Sequence, residues 1–155
     1  HVLKLARQKN CKIILDPAPA RELPDTVFQD LFLITPNQSE AAMLTGIDIE
    51  NSNAAKTAAE QLLEMGANNV ALTLGEQGVI LASPRGIKVI AAPAVSALDS
   101  TAAGDCFNGA LATALVRGAT LNEAIEFACH AASIAVTRLG AQNAMPREQE
   151  LESFA

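Results

Sequence analysis

The sequence has no tryptophan and no tyrosine, and aromatic residues make up 3% of its 155 positions. Proteins that hold single-stranded nucleic acid stack bases on such rings and follow the backbone with a basic groove. Here 11 Lys and Arg stand against 17 Asp and Glu, for a net charge of −6, which disfavours a nucleic-acid partner. The three cysteines, Cys11, Cys106 and Cys129, are widely spaced with no Cys-x-x-Cys. That removes a disulfide scaffold and a zinc framework, and it fits a reducing, cytoplasmic compartment. No apolar run approaches the roughly 18 residues of a membrane span, and no charged-then-apolar leader opens the chain. Neither GxGxxG nor GxxxxGK(S/T) occurs anywhere.

What is present is a chain that is half hydrophobic and only 18% charged, long enough to bury the core of one domain. Short β-branched runs, Lys12–Asp16, Leu31–Thr35 and Asn69–Leu74, alternate with helical patterns. Continuous apolar runs of this length suit strands covered on both faces in a parallel sheet. Helices are expected over Gln38–Thr45, closed by Gly46, and over Asn51–Met65, closed by Gly66. Residues 78–92 read as an antiparallel hairpin at a sheet edge, turning through Ser83-Pro84-Arg85-Gly86. Helix is expected again over Asp105–Arg117, from the Thr120–Glu123 capping box to about Arg138, and from Pro146 to Phe154. The pattern predicts a Rossmann-like α/β fold: a three-layer sandwich with a mostly parallel sheet and an antiparallel edge hairpin. Residues 1–155 form one domain in this reading. The opening HVLKLARQKNC starts inside a helical pattern with no capping residue ahead, as a piece of a longer chain would.

Chemistry concentrates in LDSTAAGDCFNGA, Leu98–Ala110, where two acids, Asp99 and Asp105, flank small residues. If a helix begins near Asp105, the amides around Ala103, Gly104 and Asp105 have no intrahelical partner and form an anion site. Ala102, Ala103 and Gly104 let a phosphate approach the backbone. A carboxylate there can orient an alcohol and accept its proton, as phosphoryl transfer requires. The alternative is a helix-start acid with packing glycines. TLGEQG, Thr73–Gly78, follows a strand, where α/β folds bind nucleotides, although a hairpin turn explains it too. Asn37 and Glu40 stand three apart at a strand-to-helix junction. They can meet a phosphate and a water-bound Mg2+, or they can be a helix cap and its first-turn acid. A thiol nucleophile at Cys106 with His130 as base is a rival chemistry, opposed by the acid preceding Cys106.

Taken together, DSTAAGDCFNGALATAL, DPAPARELPD, ITPNQSEAAMLTG, TLGEQG and IAVTRLGAQNAMP resemble, in order and spacing, the ribokinase (PfkB-type) family of sugar kinases. The resemblance covers essentially the whole chain. It implies ATP-dependent phosphorylation of a sugar hydroxyl, with D-ribose going to ribose 5-phosphate and other sugar, nucleoside or sugar-phosphate acceptors as the alternative. It assigns Asp105 as catalytic base and Ala102, Ala103 and Gly104 as anion hole. For ATP it assigns Asn37, Thr73, Leu74, Gly75, Glu76, Gln77, Gly78, Gly104 and Cys129. Glu40 matches the acid associated with Mg2+. Asp99, Thr101, Ala135, Arg138, Gly140 and Ala144 match a potassium site that holds the anion-hole loop from behind. Cys129 stands where Asn is familiar, Ala144 where Ser is frequent, and Asp16 where Asn is familiar. Family members carry roughly another half ahead of such a segment, with the sugar pocket and lid strands that often dimerise. The resemblance therefore implies the ATP-binding C-terminal half of a longer, homodimeric kinase, with little turnover from the isolated chain; a non-catalytic nucleotide-binding fragment is the other reading.

Overall fold

The computed structural model describes residues 2–152. In chain order the elements are α1 (Val2–Gln8), β1 (Ile14–Leu15), α2 (Asp25–Phe28), β2 (Leu33–Ile34), α3 (Gln38–Thr45), α4 (Ser52–Glu64), β3 (Val70–Thr73), β4 (Val79–Ser83), β5 (Gly86–Ile90), α5 (Ala103–Val116), α6 (Leu121–Ala135) and α7 (Glu148–Glu152). Within the described residues the chain forms two compact units. One runs up to Gly75 and adds Val79–Val89; the other takes Glu76–Gly78 and the chain from Ile90 onward.

The first unit holds a five-stranded sheet in the order β1-β2-β3-β4-β5. β1, β2 and β3 are parallel, with Ile14 opposite Leu33 and Ile34 opposite Val70. The expected strands at Lys12–Asp16 and Leu31–Thr35 shrink to two paired residues each. Pro17 and Pro36 stand beyond their C-terminal ends, where each lacks the N–H that would donate to a ladder. The antiparallel part begins one strand earlier than expected. A 3-10 turn at Gly75–Gln77 folds β4 back on β3, pairing Thr73 with Val79 and Val70 with Ala82.

α4 shows why these residues choose helix. Asn51 caps it by accepting from the amides of Asn53 and Ala54, both at 3.0 Å, a cap worth about 1 kcal/mol. Ala55, Ala58, Ala59 and Leu62 recur at helical spacing, and all four are fully buried. Their small side chains let α4 lie close against β3 and β4. Together with Phe28, Leu31, Ile34, Val70, Leu72 and Ile80 they make the unit's core. Each large member contributes about 1.5–3 kcal/mol through burial.

In the second unit α5 packs along α6. Thr120 and Glu123 form the expected capping box, with the Thr120 amide donating to Glu123 Oε2 at 2.7 Å. Hydrogen bonds from the Thr120 hydroxyl and amide hold the Glu123 carboxyl below the usual range. α5 starts at Ala103, two residues before Asp105, and α6 stops at Ala135 rather than near Arg138. Tertiary bonds explain the early stop: the Val136 carbonyl accepts from the amides of Leu98 (2.7 Å) and Asp99 (3.1 Å). The segment after Gly140 contains a 3-10 turn, Gln142–Ala144. The final helix begins at Glu148, and its expected end at Phe154 lies outside the described residues. Among the described residues no helix is long and apolar enough to cross a membrane.

Gly78 closes the turn before β4 at φ +93°, and a Cβ there would sit 2.0 Å from the Ile90 carbonyl oxygen and 2.7 Å from the Ala92 nitrogen. Both obstacles are backbone, so neither can swing aside. Gly78→Ala should therefore cost more than about 2 kcal/mol in chemical denaturation. A loss below about 1 kcal/mol would show that the Ile90–Ala92 segment yields.

Candidate active site

In the first unit, Asn37 is the N-cap of α3 and Glu40 its third residue. The Glu40 amide donates to Asn37 Oδ1 at 2.9 Å, and the Asn37 amide donates to Glu40 Oε2 at 2.8 Å. The helix-cap reading of this pair is thus realised. The box uses one oxygen of each side chain; the Asn37 amide nitrogen and the second Glu40 oxygen are not part of it. Thr73 sits beside this cap. Its amide donates to the Pro36 carbonyl at 2.9 Å, and Asn37 and Thr73 form a parallel bridge. The structure therefore brings Asn37, Glu40, Thr73, Leu74 and Gly75 to one end of the sheet, Leu74 being buried. Glu76, Gln77 and Gly78 belong to the second unit; Glu76 and Gln77 are exposed, and Gly78 is buried like the Val79 that follows it.

The second unit carries the remaining assigned positions. Cys129 is buried, and desolvation, followed by the nearby Glu126 charge, pushes its thiol up to about 11. Burial also raises the Cys106 thiol, the opposite of the lowered pKa that a nucleophilic cysteine needs. Beginning with His130, the residue after Cys129, a cavity of about 380 Å3 is lined by His130, Ser133, Ile134 and Thr137 with Pro93, Val95, Arg138 and Glu150. Asp105 is not among its lining residues. Sequence reasoning did not find this cavity. The signal was there: His130, Ser133 and Thr137 repeat polar groups along one helical face. Among the described residues no group of three or more His, Cys, Asp or Glu is placed to hold a metal.

The loop into α5 is built differently from the starts of α3, α4 and α6, each of which has a side-chain cap. α5 begins on Ala102 in the left-handed region, φ 58° and ψ 18°, with no side-chain cap. A non-glycine residue there costs on the order of 1–3 kcal/mol, so the surroundings must enforce it. They do so through Asp99. One carboxylate oxygen accepts from the Thr101 amide and the other from the Gly140 amide, both at 2.9 Å. The Ala103 amide donates to the Ser100 carbonyl at 3.2 Å, which takes it out of the expected anion hole. The first ladder bond of α5 runs from the Cys106 amide to Ala102, so the Gly104 and Asp105 amides precede the ladder. Asp105 is exposed, and among the described residues its carboxylate has no ion-pair or hydrogen-bond partner.

The positions matched to potassium are gathered in this unit. Asp99 joins Thr101 to Gly140, and the Ala135 carbonyl lies in the last turn of α6, accepting from the Arg138 amide at 3.1 Å. A carboxylate at the carbonyl end of a helix is a favourable setting for a cation. Hydrogen bonds from the Thr101 hydroxyl, then the Gly140 and Thr101 amides, bring the Asp99 carboxyl down to about 2. A carboxyl depressed by folding stabilises the fold above its ordinary pKa, and that contribution fades as pH falls through the folded value. Asp99→Asn should accordingly lower the melting temperature at neutral pH, with the gap to the unsubstituted chain closing as pH drops from about 4 toward about 2. A gap that stays constant across this range would exclude the charge as its source.

Comparison with known proteins follows the same residues. The chain is 39% identical over 151 residues to a ribokinase of Haemophilus influenzae, covering 97% of this chain and 49% of that protein. It is 35% identical to the Bacillus subtilis ribokinase, covering 99% of this chain and 49% of that one. Among solved structures, the Thermotoga maritima ribokinase superposes with a TM-score of 0.90 at 42% identity, over 99% of this chain and 52% of that one. An Arabidopsis thaliana ribokinase complexed with ribose and ATP gives 0.91 at 28% identity, over 98% and 50%. The chain spans about half the length of the curated relatives it matches. The pattern of the pfkB family carbohydrate kinases runs over residues 1–148, through both the capped turn at Asn37 and the uncapped start of α5, and the chain belongs to that family.

Proposed function

We propose that this chain is the ATP-binding and catalytic portion of a kinase that phosphorylates a sugar hydroxyl, D-ribose at its 5-hydroxyl. The observation that carries the reading is the start of α5: an exposed carboxylate without a partner, beside amides that no side chain caps. In this reading the Gly104 and Asp105 amides hold the transferred phosphoryl group, aided by the positive end of the helix dipole. Asp105 orients the acceptor hydroxyl and takes its proton as the oxygen attacks phosphorus. The Asn37 amide nitrogen and the TLGEQG turn contact the nucleotide phosphates. The adenine ring of ATP takes the cavity beside His130 and Ser133, next to Cys129, and the cavity's volume suits a planar ring. Glu40 would hold Mg2+ through water by the carboxylate oxygen outside the capping box, and the ion supplies neutralisation of phosphate charge. Asp99, Thr101, Ala135, Arg138, Gly140 and Ala144 would hold potassium, which stiffens the loop leading to Ala102. The names of the relatives, ribokinases among them, support ribose as acceptor. The three free cysteines fit a reducing, cytoplasmic setting.

In the kinase that contains this chain, Asp105→Asn should lower kcat by about 100-fold or more while ATP affinity stays within about two-fold. Turnover retained at about a tenth or above would exclude the general-base role.

Gly104 separates stability from function. It lies in the first turn of α5 without a positive φ, and a Cβ there would meet nothing within 4 Å. Gly109, in the middle of the same helix, is equally open. Glycine in a helix costs about 1 kcal/mol relative to alanine, so Gly104→Ala and Gly109→Ala should each leave stability equal or higher. Gly104→Ala should in addition weaken Mg-ATP binding in calorimetry by about ten-fold, because its methyl occupies the space of the phosphate. Unchanged binding would refute the anion hole.

A further inference from the structure

The short helix α7 is fastened to the second unit at three points. Glu148 pairs with Arg117 at 2.6 Å. Leu151 packs on the buried cluster of Cys106, Ala131 and Ala135. Glu150 takes both guanidinium nitrogens of Arg138, Nη1 at 3.4 Å and Nη2 in closer contact, and also accepts from the Arg147 amide at 2.8 Å. Two of these attachments lie close in sequence to the residues that frame the start of α5. Cys106 follows Asp105 directly, and Arg138 stands two residues before Gly140, whose amide holds Asp99.

A half-buried ion pair that still meets solvent adds little to global stability. A guanidinium fork on a carboxylate nevertheless has direction as well as charge, and fixes the backbone that carries it. The Arg138 side chain is not needed to offer a backbone carbonyl to a cation. Its geometry toward Glu150 instead holds the 138–140 turn in the arrangement that lets Gly140 reach Asp99. We infer that Glu150 is a positioning residue: by gripping Arg138 it sets the affinity of the Asp99 loop for a monovalent cation. This rests on the potassium reading above.

The test is a series of thermal melts of the full 155-residue chain in rising KCl, with choline chloride holding ionic strength constant. The quantity read is the KCl concentration at half the potassium-specific shift. Glu150→Gln and Arg138→Gln should each raise that midpoint by about two- to five-fold, the range open to a solvent-accessible pair. The double substitution should raise it no further than either alone, since both remove one interaction. Arg138→Lys, which keeps the charge and loses the fork, should fall between. A melting temperature lowered equally at every salt concentration with an unmoved midpoint would overturn the proposal, as would additive effects in the double variant. If the unsubstituted chain shows no potassium-specific shift, the cation reading fails and takes the proposal with it. A normal shift there with an unmoved Glu150→Gln midpoint removes only the role of Glu150.

Discussion

The carboxylate of Asp99 is the link on which the second unit's site depends. It accepts two backbone amides from segments 39 residues apart in sequence, Thr101 ahead of α5 and Gly140 behind α6. The Val136 carbonyl repeats the connection from the other side by taking the Leu98 and Asp99 amides. With both segments pinned, Ala102 is held in the left-handed region, and α5 opens with bare amides instead of a capping side chain. One charged group thus ties the end of one helix to the start of another and leaves Asp105 facing solvent.

The first unit solves a similar problem by different means. Asn37 and Glu40 close a reciprocal capping box that fixes the entry to α3, yet each retains a polar atom outside it. Structural and ligand-binding readings of this pair are compatible, because the box occupies one oxygen of each residue. The bridge from Asn37 to Thr73 then sets the cap against the end of β3, where the TLGEQG turn begins. A cap and a strand end, each ordinary alone, become a polar corner when the parallel register places them side by side.

Much of the fold was legible because local physics agreed with it. Gly46 follows α3 as expected, the Thr120–Glu123 box opens α6, and the alternation of apolar runs with capped helices marked the α/β class. Strand lengths and the end of α6 were not legible. Pro17 and Pro36 bound only the C-terminal ends of β1 and β2, and tertiary hydrogen bonds to Val136 stopped α6 short of Arg138. The loss of the Ala103 amide to Ser100 was equally invisible, since it follows from a turn that Asp99 closes through a bond to Gly140.

Residue order settled the points that depend on neighbours along the chain: which segments are helix or strand, which residues cap them, and where small residues and acids meet at Asp99–Asp105. Folding in three dimensions chose the rest. It drew Gly140 onto Asp99, turned HAASIAVT so that one face lines a cavity, and set Glu150 against Arg138. The division has a physical basis. Caps and periodicity act over three or four residues and are written locally, whereas a backbone amide can satisfy a distant carboxylate only after the intervening chain has packed.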